Sequence, residues 1–189
     1  IQGAPWNKFF DLRVINKFKI KFPSLRRHQD EAFIARYMDK TERVCFISDI
    51  LYTYVVNDLT LQWDKYPIDY IDAVDGLFND RKENILKWNC DDLYTHDLVL
   101  RDYICGLIKA FELSFSPKHN YDFVKRITWM RNMLQNRNLN NISIPKSLGI
   151  YQKVVFSLMK KRIVILIYAI LKFKVLMERN GSIRRIKRV

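Results

Sequence analysis

Apolar residues recur at helical spacing over the second half of the chain. Tyr70, Ile71, Val74, Leu77 and Phe78 form one set; Leu100, Tyr103, Ile104, Leu107, Ile108 and Phe111 form another; Phe123, Val124, Ile127, Met130 and Leu134 form a third. Steps of three and four predict three amphipathic helices. The polar run Asn136 to Asn141 ends the third, and Pro145 and Gly149 separate it from a last helical stretch starting near Ile150. The first sixty residues read differently. Ala4 to Phe10 is a loop or short extended piece, and Asp11 ahead of Leu12, Val14 and Ile15 is placed as a helix N-cap. Phe18-Lys19-Ile20-Lys21-Phe22 alternates apolar and basic residues up to Pro23, a short-strand pattern. Asp30 to Lys40 is helical in pattern, with Phe33, Ile34, Tyr37 and Met38 on one face. Val44 to Val56, rich in β-branched and aromatic residues, predicts one or two strands. The character changes near residues 60–66, which predicts a segment 1–62, a helical region 63–149 and a last helix with a basic tail, 150–189.

Composition narrows this. In 189 residues, 49% apolar and 28% charged content describes a chain that folds around one sizeable core, or a small domain plus an appendage. The net charge of +13 is concentrated at one end: residues 160–189 hold ten Lys/Arg against the single acid Glu178, a local +9, whereas Trp63 to Asp97 holds nine acids against four bases. The basic character therefore belongs to the tail and does not mark a nucleic-acid binder. Tyr168 and Phe173, the tail's rings, sit among aliphatics rather than on a basic face, so no nucleic-acid partner is expected. Cys45, Cys90 and Cys105 show no disulfide or zinc spacing. A Cys90/His96 metal pair is conceivable, but two ordinary residues are the simpler reading. Residues 1–10 contain no apolar stretch of the signal-peptide kind, and a cytoplasmic setting is expected.

Candidate chemistry gathers near the start. Asp30 opens a helix, where the dipole and free backbone N–H groups favour a carboxylate; it is a candidate general base, although from the helix alone a plain cap is the commoner reading. Trp6 offers a stacking face or a core anchor. Asn7 offers a hydrogen bond to a sugar hydroxyl or to its own loop, and Lys8 a phosphate contact or a solvated charge.

Taken together, Gly3-Ala4-Pro5-Trp6-Asn7-Lys8-Phe9-Phe10, then His28-Gln29-Asp30-Glu31-Ala32-Phe33, then Leu51-Tyr52-Thr53-Tyr54 resemble the family-2 glycosyltransferases over about residues 3–60. Those enzymes carry a Gly-x-Pro-Trp-Asn-Lys segment, a Glu-Asp pair opening a helix and a Tyr-x-Tyr strand. The resemblance implies an α/β, α-rich fold: the C-terminal part of a GT-A type nucleotide-sugar domain, followed by a helical appendage. It implies inverting transfer of a sugar from a nucleotide sugar to a glycan or lipid-linked acceptor in bacterial surface-polysaccharide assembly. Asp30 would be the base, with Trp6, Asn7, Lys8, Gln29 and Glu31 lining the substrate cleft. Gln29 stands where the family has Glu, and Val56 to Thr60 lacks the Arg often found there. The family's nucleotide-binding half and its Asp-x-Asp motif do not occur in the chain, so the divalent metal (Mg or Mn) expected for a complete enzyme has no motif here. The 189 residues alone are expected not to turn over.

The tail adds a partner. The unbroken apolar run Ile163 to Leu171 is nine residues, too short to span a bilayer, and basic residues flank it. That suits a helix lying in the interface of an anionic membrane through residues 150–189, peripheral on its inner face, or an ordinary core helix with a solvated basic end. The rival to an enzyme is a non-catalytic helical module that binds a membrane or partner through this end.

Overall fold

A computed structural model describes residues 5–24, 28–53 and 70–179. Gly3, Ala4, residues 54–56 of the expected strand, the 56–60 segment, the expected boundary at 60–66 and the basic residues Arg184 to Arg188 lie outside the described residues. The chain divides into two compact units, Ile1–Asn57 and Asp58–Val189.

The α/β expectation is corrected. The described residues form helices and no strand or sheet, an all-α arrangement rather than a GT-A domain. Phe18 ends helix α1 (Leu12–Phe18), and Lys19 turns the chain in the left-handed region at φ 51°. Ile20 is then buried and Phe22 stacks on Phe33, with ring centroids 4.1 Å apart. The alternation thus serves a small core without joining a ladder. Residues 44–53 belong to no sheet, and Phe46 and Ile50 are 80% and 90% exposed. β-Branched and aromatic content marks a segment suited to a pleated surface, but cross-strand pairs stabilise strands, and the described residues provide no such pairs.

In the first unit, Asp11 caps α1 as expected, accepting the Arg13 N–H at 2.8 Å. Helix α2 (Gln29–Met38) buries Phe33, Ile34 and Tyr37 against Ile20, Phe10, Val14 and Ile15.

The second unit is built on α4 (Leu93–Leu113), whose Ile104, Leu107, Ile108 and Phe111 are buried. Around it lie α3 (Tyr70–Lys87), α5 (Phe123–Gln135), α6 (Ile150–Lys160) and α7 (Val164–Arg179), all contributing to one core. Asp92 caps α4 through the Thr95 N–H at 2.9 Å, and Asp122 caps α5 through the Lys125 N–H at 2.7 Å.

Two glycines probe the α3–α4 packing with opposite signs. At Gly106 on α4 an added Cβ would lie 2.7 Å from Val74 Cγ1 on α3, and Val74 is buried and stiff at χ1. At Gly76 in α3 a Cβ would meet nothing within 4 Å. Gly106→Leu is expected to lower stability by about 2 kcal/mol or more through overpacking. Gly76→Ala should raise it by about 0.5–1 kcal/mol through helix propensity. Denaturant midpoints of the two variants check both signs.

The segment after α5 is held by Asp97, which accepts the Lys146 N–H at 2.6 Å and the Ser147 N–H at 3.1 Å. Hydrogen bonding from Ser147, then from the two backbone N–H groups, holds its carboxyl below the usual range. A lowered folded-state pKa gives a contribution that is complete above the ordinary carboxylate range and is lost as pH falls through the lowered value. Hydrogen exchange at the Lys146 and Ser147 amides should therefore accelerate, beyond the intrinsic rate, on acidification. Asp97→Asn should remove that acid-side change.

Candidate functional site

The turn that carries the Trp-Asn-Lys triplet is a single 3-10 turn, Pro5–Asn7, closed by the Lys8 N–H donating to the Pro5 carbonyl at 3.1 Å. Trp6 is 48% exposed, so it is not a core anchor; its ring lies 6.4 Å from that of Tyr52 at 38°. The Lys8 ammonium donates to Asn7 Oδ1 at 2.7 Å. Burial lowers the Lys8 pKa.

Two residues further on, the chain is fastened to α2. The Phe10 ring meets Phe33 and Tyr37 edge-on, at centroid distances of 5.3 and 4.9 Å, and the Asp11 N–H donates to the Tyr37 hydroxyl at 2.8 Å. Phe10 and Asp11, which follow the Pro5–Lys8 turn in the chain, are thus fastened to the helix that bears Asp30. Tyr37 and Tyr52 were read from the sequence only as core and strand residues; nothing in their spacing showed the first anchoring Asp11 or the second facing Trp6.

Asp30 is not the cap of α2. His28 occupies that position, in the left-handed region at φ 60° and without a side-chain cap bond, and Asp30 is the second residue of the helix. Its side chain is half-buried, and among the described residues its carboxylate has no hydrogen bond or ion pair. Glu31, by contrast, lies 3.2 Å from His28 Nδ1, and Gln29 is exposed. The first turn of α2 therefore presents a carboxylate at the positive end of the helix dipole, with a neighbouring acid engaged by an imidazole.

Among the described residues no group of three or more His, Cys, Asp and Glu is placed to hold a metal ion. Cys90 Sγ donates to the Trp88 carbonyl and His96 pairs with Asp91, so the two are engaged separately.

The tail helix presents a further surface. The apolar stretch is divided at Lys161 to Ile163, where Arg162 has φ 57°. In α7, Val164, Ile167, Leu171 and Val175 are buried in the core. Its rotation is fixed by Glu112, 2% exposed, which accepts the Tyr151 hydroxyl at 3.0 Å and pairs with the Lys174 ammonium. That rotation turns Ile165, Leu166, Ala169, Phe173 and Leu176 outward. At 3.6 residues per turn they occupy an arc of about 100°. Exposed Lys172 lies at its edge and Lys161 and Arg162 at its start, and no acid falls within it. Among the described residues, no helix is long and apolar enough to cross a membrane.

Comparison with known proteins finds no matching family model, no matching curated protein and no matching solved structure.

Proposed function

We propose that this chain supplies the acceptor-side portion of an inverting sugar transferase that works against a membrane surface. One observation carries the reading: Phe10 and Asp11, which follow the exposed Trp6 turn in the chain, are fastened to α2, where Asp30 is half-buried and, among the described residues, makes no hydrogen bond or ion pair. Glycosyl transfer needs a base at the acceptor hydroxyl and groups that position the sugar. Asp30 takes the acceptor hydroxyl proton as that oxygen bonds to the anomeric carbon. The bond from the anomeric carbon to the phosphate oxygen breaks, and the nucleoside diphosphate leaves with its electron pair. Trp6 offers its ring to a sugar face or an apolar acceptor, Asn7 hydrogen-bonds hydroxyls and Lys8 supplies positive charge. Gln29 and Glu31 flank the base. No step above runs through a divalent cation.

The donor is a nucleotide sugar and the acceptor a glycan or lipid-linked glycan of surface-polysaccharide assembly. The outward stripe of α7 seats the protein peripherally on the anionic inner face of the membrane. The same stripe also favours a second reading, a non-catalytic helical module seated on the membrane. Asp30→Asn separates the two: it removes transfer under the first and has no activity to remove under the second.

A further inference from the structure

The second unit contains a cleft of about 540 Å³ between α3, α4 and the polar turn that follows α5. This lies within the range of small-molecule sites, about 300–1,000 Å³. Its polar floor is already ordered. The Asp75 carboxylate accepts the Tyr103 hydroxyl at 2.9 Å and the Arg137 Nε–H at 3.2 Å, and Arg137 Nη1 donates to the Met133 carbonyl at 2.8 Å. The Arg137 side chain is 10% exposed, and its charge is paired with Asp75 and, at 3.6 Å, with Asp72. The Phe78 ring stacks on Tyr103 at 4.0 Å and gives the cleft an apolar wall. Its rim carries four amides, Asn79, Asn136, Asn138 and Asn141, and among the described residues none of their side chains makes a hydrogen bond.

An amide side chain offers both an acceptor and two donors. Sugars present adjacent hydroxyls that donate and accept at once, together with C–H faces that pack on rings. An anion would instead require uncommitted cations. Of those at the cleft, Arg137 is paired with Asp75, His96 is engaged by Asp91, and the Lys82 ammonium sits 5.4 Å over the Phe78 ring. We propose that this cleft binds a neutral pyranose unit of a glycan. As a role for that binding, holding the growing acceptor rests on the transferase reading, but the binding itself is measured without turnover.

The experiment screens the full chain on an array of neutral and acidic oligosaccharides. It then titrates the strongest neutral disaccharide by NMR. Expected is saturable binding that inorganic phosphate does not displace. Asn138→Ala with Asn141→Ala should weaken it about tenfold or more through lost hydrogen bonds. Both side chains are exposed, so the melting temperature should be unchanged, and Asp30→Asn should bind as the parent does. Absence of neutral-glycan binding, full affinity in the double variant, or displacement by phosphate overturns the proposal. Transfer that survives Asp30→Asn while the cleft still binds would sink the transferase reading and leave the cleft standing.

Discussion

Replacing Ile165 and Phe173 together with serine should weaken binding to phosphatidylglycerol-containing vesicles by about 30–150-fold. The estimate follows from apolar burial. A fully buried side chain of this size contributes about 1.5–3 kcal/mol, and partial insertion of two at an interface about 2–3 kcal/mol in total, where each 1.4 kcal/mol is tenfold in affinity. Both residues are about two-thirds exposed, at 64% and 67%, so their loss takes nothing from the core. The melting temperature should stay in place. Leu171→Ser, at a fully buried site on the opposite face of the same helix, should instead destabilise the fold by about 2–5 kcal/mol. Added salt should weaken vesicle binding through screening of Lys161, Arg162 and Lys172. Co-sedimentation measures all of these. Undiminished binding by the double serine variant would remove α7 as the membrane seat.

Asp30→Asn is expected to lower sugar transfer by about 10²–10⁴-fold, the range over which a positioned general base acts. The substitution keeps shape and polarity and removes only the ability to take a proton. Its cost to folding should be small: the described residues give the carboxylate no bond to lose, and the favourable charge at the helix N-terminus is worth about 0.3–1 kcal/mol. Vesicle binding should be unaffected. A large fall in kcat with unchanged melting and unchanged membrane affinity would identify a catalytic loss. A matching fall in melting temperature would point to a structural role for Asp30.

The long helices were legible because their cores need them. The periodic sets around Ile71, Ile104 and Ile127 are the faces that α3, α4 and α5 bury together. Even there the pattern overreached: Phe123 and Val124 fit the spacing, yet both are exposed. Asp11 was legible as a cap because a single acid stood before an apolar run. Asp30 was not, because His28 adopts a left-handed backbone that residue type alone does not disclose. The strand reading failed for a different reason. β-Branched content at 44–53 describes what a segment tolerates, whereas a sheet requires a neighbour that the local pattern does not reveal.

The tail and the cleft show the limit from the other side. Residues 150–189 read as a last helix with a basic tail, yet the turn at Lys161 to Ile163 and the Glu112–Lys174 pair decide which side chains face outward. The cleft joins Asp75 to Arg137 across 62 positions of sequence. The polar run Asn136 to Asn141 was legible as a helix stop, but not as a rim, because the opposing wall comes from α3 and α4.

The measurement that bears most directly on sugar transfer is nucleoside diphosphate release from a panel of nucleotide sugars. It should use the longest polypeptide that carries residues 5–53 and turns over, with wild-type protein beside Asp30→Asn. Acceptor-dependent release by the wild type that falls by at least about a hundredfold in the variant is the predicted result. Equal release by both proteins would contradict the assignment of Asp30 as the base.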